Sequence, residues 1–390
     1  MYSWTKRTPH RMDGFPPWRN RQFVLHLLLS CLVVLATAGC TSLGPAVLRG
    51  ERIHYNLALQ HTTNEQMLLN LVRLKYRDTP IFLEVSGIAS QVSLSASAQA
   101  GAQLQADANE LFNLGVDLVY STLPTVTYTP LQGEDFSQRF LSPLSLDRLM
   151  LLYRSGWPLR PILRLGVQRL NQVKNAPRAA VPTLRRRVPD YQDFARVVDL
   201  IGELERQDAL DIVYESPPSD DRPGRLVLRI VAEALELPAV QELTRLLRLT
   251  GGKTRYPIVY AHQAVLQEGA QEVDELRVET RSLLGILFFL AEAIEVPETD
   301  TQAGKVAITR YETGEPFDWR QVTGDLLRIR AAPARPPGAA MAVRYRGSWF
   351  YIDDTDLMSK SIFSLLTQLF ALQAGKTERL LPILTLPLGK

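Results

Sequence analysis

Few residues in this chain could carry covalent chemistry. Cysteine occurs twice in 390 residues, as Cys31 inside an apolar run and Cys40 at its end. A thiolate is both a nucleophile and a metal ligand, so Cys40 offers a reactive group. The 350 residues that follow contain no cysteine, so they can form neither a disulfide nor a site built from several thiolates. Histidine is nearly as scarce there, limited to His54, His61 and His262. His54 and His61 lie seven apart and would share a face of one continuous helix. Two imidazoles alone make a weak metal site, and ordinary surface or core histidines are the plainer reading. Gly251-Gly252-Lys253-Thr254 resembles the end of a phosphate loop, but Leu247 stands where that loop needs glycine, and a helix precedes it where a strand is needed. A glycine pair ending a helix fits better. Asp353-Asp354-Thr355-Asp356 could hold a hard cation, or could form a turn that caps the next helix. Ser359 and Lys360 are adjacent, which points them in different directions on a helix. No Gly-x-Ser-x-Gly elbow occurs. Carboxylate pairs brought together by the fold cannot be read from spacing and stay open.

The segment that positions Cys40 is tripartite. Arg19 and Arg21 form a positive flank, Phe23 to Leu35 an apolar stretch, and Thr37-Ala38-Gly39 a run of small residues. The apolar stretch has the length of a signal core and falls short of the roughly 20 residues of a bilayer-spanning helix. The pattern resembles the lipobox of bacterial lipoproteins, although Thr37 stands where leucine is commonest. The resemblance implies that the Cys40 thiol takes a diacylglycerol and that cleavage between Gly39 and Cys40 then frees the cysteine amine. In the sorting rule of such proteins an Asp after the cysteine retains the protein at the inner membrane. Thr41 is not Asp, so the resemblance implies a lipid-anchored body on the periplasmic face of the outer membrane. The competing reading is an uncleaved N-terminal membrane helix with an incidental cysteine. Met12 is an alternative start that would shorten the stretch before Arg19.

Charge narrows the partners. The formal net charge is +3, from 44 basic and 41 acidic residues. Residues 1–39 hold five of the basic ones (Lys6, Arg7, Arg11, Arg19, Arg21) and one acidic, Asp13, which leaves 39 against 40. Nucleic-acid binding needs a basic surface, which this balance does not favour. Arg185-Arg186-Arg187 could touch acidic lipid head groups, or form an exposed loop.

The periodicity predicts an α+β fold: a helical N-terminal region with a long β-hairpin, then a mostly antiparallel sheet packed with helices. Residues 1–39 read as the signal, 40–61 as lipidated cysteine, tether and first helix, 62–174 as helix, hairpin and helical pair, 175–189 as a linker, and 190–390 as an α+β domain. Thr63 with Gln66 suggests a capping box, ahead of Met67, Leu71 and Leu74 at helical spacing. From Val92 to Ala108 apolar and polar residues alternate, the apolar set being mostly alanine. That pattern predicts a long strand, with Val116 to Tyr128 returning beside it across 109–115; a helix over Ala96–Leu111 competes, since alanine is a poor strand former. Pro143 to Lys174 reads as two helices broken at Gly156-Trp157-Pro158, with Ile162, Leu163, Val167 and Leu170 striping the second. Further on, the pattern gives helices near 190–207, 238–249, 282–294 and 356–374. Strands fall near 209–215, 225–231, 256–260, 326–331 and 341–352, and a last apolar run, Leu380–Leu388, is expected to pair into the sheet. In the strand 341–352, alternation would place Tyr345 and Trp349 on one face and Phe350 on the other, as core or as a recognition surface.

The runs EQMLLNLVRLKYRDTPIFLEV, PLSLDRLMLLYRSGWP and VRYRGSWFYIDDTDLMSKSIFSLL resemble those of a family of predicted lipoproteins from Gram-negative bacteria. The resemblance covers most of the chain after Cys40; it implies export and no active site. The expected role is non-enzymatic: a membrane-anchored body, held by lipid on Cys40, that binds other envelope proteins or its own copies and needs no cofactor. Small residues alternating with polar ones make the segment after Val92 a candidate shared sheet between subunits. The alternative is a periplasmic hydrolase of glycan or peptide using fold-assembled carboxylates.

Overall fold

A computed structural model describes residues 53–102, 112–180, 188–215, 224–261, 272–374 and 384–387, together with His26 and Ser30; at 90–102, 112–124, 178, 180 and 384–387 it describes the backbone only. The chain divides into two units, Met1–Thr63 and Asn64–Lys390. The division falls inside helix α1 (53–75). Because α1 already runs through 53–63, Thr63 is helix interior and caps nothing. Thr62 Oγ1 instead donates back to the Ala58 carbonyl at 2.9 Å.

In the larger unit α1 buries Met67, Leu71 and Leu74, the stripe its spacing predicts, and Leu68 and Val72 beside them. Strands β1 (Leu83–Ala102) and β2 (Phe112–Pro130) follow as an antiparallel hairpin. From Val92 to Ala102 the extended reading holds over the helical one, since ladder pairing outweighs alanine's helix preference. Residues 103–111 lie outside the described residues, and β2 already begins at Phe112, inside the expected turn at 109–115. Next come α2 (Glu134–Leu141), α3 (Leu146–Arg154) and α4 (Leu159–Gly166). Beyond Gly166 the chain leaves the helical course: Val167 and Leu170 belong to strand β3 (Val167–Leu170), followed by β4 (Val173–Lys174). Arg281 explains the stop. Its Nη1 donates to the carbonyls of Arg164 (2.9 Å) and Leu165 (3.0 Å), its Nη2 donates to Asn175, and its backbone N–H donates to Gly166 at 2.7 Å. A cation at a helix C-terminus satisfies orphan carbonyls and suits the dipole.

The expected linker does not separate two domains. Asn64–Lys390 clusters as one unit, and β3 and β4 lie in the same sheet as strands from beyond residue 190. Asn175, Ala176 and Ala179 are buried, with Asn175 Nδ2 donating to the carbonyls of Arg164 (2.9 Å) and Val167 (2.7 Å). Residues 181–187, with the arginine triplet, lie outside the described residues.

Of the remaining elements, the helices near 190–207, 238–249, 282–294 and 356–374 and the strands near 209–215, 225–231 and 256–260 fall where the sequence places them. The strand Leu276–Thr280 and the helices Glu298–Gln302 and Arg320–Thr323 were not expected, and the strand near 326–331 is only Arg330–Ala332. Helix α5 (Gln192–Arg206) leads to β5 (Leu210–Glu215), β6 (Arg225–Ile230), α6 (Pro238–Leu247), β7 (Arg255–Tyr260) and β8 (Leu276–Thr280). The six-stranded sheet has the order β4-β3-β8-β7-β6-β5, antiparallel except between β7 and β8. Helix α7 (Leu283–Ala291) is apolar all round and lies at the centre, packed on α2, α4 and a later helix. That later helix is α10 (Leu357–Ala374), reached through α8 (Glu298–Gln302), α9 (Arg320–Thr323) and a small sheet of β9 (Arg330–Ala332), β10 (Ala339–Tyr345) and β11 (Ser348–Asp353). Strand β12 (Leu384–Pro387) pairs with β2 rather than with the main sheet.

The end of α1 is fastened to these later elements. Lys75 Nζ meets Glu292 at 3.0 Å, Tyr76 donates to Asp300 at 2.6 Å, and Asp78 accepts from Tyr345 and, at 2.9 Å, from Arg346. Two of the sequence runs quoted above therefore meet in space through Tyr76, Asp78, Tyr345 and Arg346.

Candidate functional site

The hairpin is held at its base by two amide side chains. Gln66 and Asn70, one turn apart on α1, each pair with the backbone of one residue. Asn70 Nδ2 donates to the Ile81 carbonyl at 2.7 Å and its Oδ1 accepts the Ile81 N–H at 3.0 Å. Gln66 Nε2 donates to the Leu83 carbonyl at 3.0 Å and its Oε1 accepts the Leu83 N–H at 2.8 Å. Residues 81 and 83 are alternate positions of an extended chain, 6 to 7 Å apart at about 3.3 Å per residue. That spacing matches side chains at i and i+4 of a helix. The two amides act as a short ladder strand on a helix face, and Gln66 serves here rather than in a capping box.

From this base the register runs without interruption from Gly87 opposite Thr127 to Ala102 opposite Phe112, after one irregularity between Val85 and Gly87. Directly opposed residues share a face in an antiparallel ladder. Even-numbered positions from Val92 to Ala102 thus share a face with even-numbered positions from Phe112 to Thr122. All of those twelve except Thr122 are apolar or aromatic by type. The odd-numbered face holds Ser93, Ser95, Ser97 and Gln99 opposite Ser121, Val119, Asp117 and Gly115. Strand β12 covers β2 only from Thr125 to Tyr128. Among the described residues, residues 90–102 and 112–124 therefore form a two-stranded ribbon with both outer edges open.

The other residues with chemical promise lie apart. Gly39, Cys40, Cys31 and His262 lie outside the described residues. His54 and His61 are exposed on α1, and among the described residues no group of three or more metal-ligating side chains is placed to hold an ion. The Asp353–Asp356 cluster is divided among local partners. Asp353 accepts from the Thr355 N–H (3.0 Å) and hydroxyl (2.6 Å), Asp354 pairs with Lys360 at 2.6 Å, and Asp356 caps α10 by accepting from the Ser359 N–H at 3.0 Å. Ser359 is buried and donates to Asp356, so it does not couple with Lys360. Gly251-Gly252 follows α6, Gly252 takes a φ of 74°, and Lys253 pairs with Asp274 at 2.6 Å. The aromatic run is a hairpin, not one strand. Arg346 (φ 48°) and Gly347 (φ 91°) form its two-residue turn. The register then pairs Tyr345 with Ser348 and Val343 with Phe350, so Tyr345 and Phe350 share a face while Trp349 lies on the other. Phe350 is core, edge-on to Tyr76 at 6.1 Å between ring centroids.

Two concavities bear on catalysis. One, of about 50 Å3, is lined by Leu149, Ile162, Ile201, Leu228 and other apolar side chains, with Tyr153 among them. Ligand sites run to roughly 300–1,000 Å3, so this one holds no sugar or peptide. The second, about 490 Å3, is an open cleft beside the Gly251-Gly252 loop with Glu236, Glu272, Arg245 and Arg248 on its wall. Both glutamates are exposed. Burial raises the pKa of the Glu205 carboxyl. It accepts the Leu159 N–H at 3.2 Å, a structural role at the start of α4. Sequence reasoning had no signal for Arg281 or Glu205, since their roles arise from contacts more than 40 residues away. No protein-family model, curated protein or solved structure matches this chain.

Proposed function

We propose that this chain is a lipid-anchored protein of the outer membrane, on its periplasmic face, with a non-enzymatic assembly role in the cell envelope. Cys40 carries the anchor and the hairpin carries the assembly. The observation behind the role is the ribbon of 90–102 and 112–124, long, two-sided and, among the described residues, open along both edges. Unpaired strand edges are templates for another chain, and natural proteins that are to stay monomeric blunt them with charge, proline or short length. Here β1 has 20 residues and no charged residue beyond Glu84, and β2 has 19 residues, with Asp117 its one charge and Pro124 at the foot of the ribbon. The observation behind the anchor is the tripartite segment ending at a cysteine that is the last in the chain.

Light scattering on the whole chain after size exclusion, with and without residues 86–129, tests the assembly. An oligomer that becomes a monomer on deletion supports it. A monomer in both cases refutes it. The hydrolase alternative gains no support from the small apolar cavity or from the exposed glutamates of the open cleft.

A further inference from the structure

Three properties of the ribbon coincide. The first is length: the alternating stretch covers Val92 to Ala102 and Phe112 to Thr122, 11 residues in each strand. At about 3.3 Å per residue that is roughly 36 Å along the strand, or about 28 Å across a bilayer at a tilt near 40°. Membrane-crossing strands need about 9–11 residues for a hydrocarbon core of about 30 Å. The second is sidedness. The ribbon's one charged residue, Asp117, lies on the odd-numbered face, and the even-numbered face has none. The aromatic positions Phe112 and Tyr120 sit toward opposite ends of the even-numbered face, where membrane strands carry their aromatic girdles. The third is the pair of open edges. A lone two-stranded hairpin is marginal in water. Within lipid an open edge is forbidden, because no water satisfies its N–H and C=O groups.

Second copies of the chain remove that conflict. If β1 of one copy pairs with β2 of the next, every strand has two antiparallel neighbours and each copy adds two strands. We propose that residues 90–102 and 112–124 cross the lipid bilayer as one copy's share of a closed antiparallel barrel made by several copies of this chain. The even-numbered face meets hydrocarbon and the odd-numbered face, with Asp117, lines the interior. The smallest such barrels have about eight strands, which sets a minimum of about four copies. Strand β12, paired only at 125–128, lies below the crossing part. This inference rests on the assembly reading above and deepens it by naming the partner and the medium.

The test uses the whole chain purified from membranes and reconstituted into phosphatidylethanolamine–phosphatidylglycerol vesicles. Single cysteines at residues 93 to 100 carry an environment-sensitive fluorophore, quenched either by nitroxides on the acyl chains or by aqueous iodide. The expected result has a period of two: positions 94, 96, 98 and 100 quenched from lipid, and 93, 95, 97 and 99 from water. Uniform aqueous quenching overturns the proposal, as does a lipid-quenched protein that light scattering finds monomeric. Ala98→Arg, on the lipid face, should lower the fraction of hairpin shielded from added protease in the vesicles by about tenfold or more, whereas Ser97→Arg, on the interior face, should lower it far less. Equal losses in both variants overturn the assigned faces, provided that thermal unfolding of the body is the same in each. The same labels in a C40A background separate the two readings. A period of two without an acyl chain upholds the ribbon even where the anchor fails, and its absence in both backgrounds overturns the ribbon alone.

Discussion

Asn70→Ala is the sharpest perturbation of the hairpin's base. Asn70 is fully buried, and its amide makes two hydrogen bonds to the backbone of Ile81, at 2.7 and 3.0 Å, while its Oδ1 also accepts from Arg73 at 3.2 Å. Each neutral hydrogen bond is worth about 1 kcal/mol net, and the space left by the amide adds roughly another 1 kcal/mol. The expected loss is therefore about 2–4 kcal/mol, read as a fall in the urea midpoint of the whole chain. Gln66→Ala, at a less buried site, should cost about 1–2 kcal/mol. Because both amides hold one strand, the double variant should lose less than the sum, as coupled neighbours do. Asn70→Asp can accept the Ile81 N–H but cannot donate to its carbonyl, and it buries a charge. It should be at least as damaging as alanine at neutral pH. Amide hydrogen exchange at Ile81 and Leu83 should speed up in every variant. A change below about 0.5 kcal/mol with unaltered exchange would refute the account of how the hairpin is held.

Three further outcomes are expected. Arg281→Met should cost about 2–4 kcal/mol in urea unfolding, since it leaves the carbonyls of Leu165 and Asn175 without the guanidinium donor, removes one of two donors to the Arg164 carbonyl, and removes a guanidinium 4.1 Å from the Phe289 ring centroid; Arg281→Lys should recover part of the loss at most, as it lacks the planar fork. Gly347→Ala should cost about 1–2 kcal/mol by thermal unfolding, because a side chain is disfavoured at φ 91°. The Lys305 and Tyr76 hydrogen bonds hold the Asp300 carboxyl below its usual pKa. The stability it contributes is present above the unfolded value of about 3.9 and lost as pH falls through the lower folded value. Asp300→Asn should flatten the decline of the urea midpoint in that acid range, and an unchanged decline would contradict this.

What could be read in advance depended on whether the determinants were local. The alternation after Val92 encodes its own ladder, the apolar period of α5 encodes a half-buried helix, and the unbroken apolar run of α7 encodes a fully buried one, so these elements were legible. The β10–β11 turn was missed because Arg-Gly is a weak turn signal beside Asn-Gly, and only the positive φ at Arg346 and Gly347 reveals it. Val167 and Leu170 fit a helical stripe, yet Arg281, more than 100 residues away, binds the carbonyls at the end of α4 and turns the chain into β3. Residues 175–189 looked like a linker through their prolines, while the burial of Asn175 and Ala176 depends on strands and helices that composition does not show. The open edges of the ribbon were legible only as an expectation of subunit contact, because register, not alternation alone, decides which residues share a face.

Intact-mass measurement on the protein extracted from its native membrane tests the anchored reading most directly. A chain beginning at Cys40 and carrying a diacylglyceryl thioether is the predicted species. An unmodified Cys40 still joined to Gly39 would contradict it.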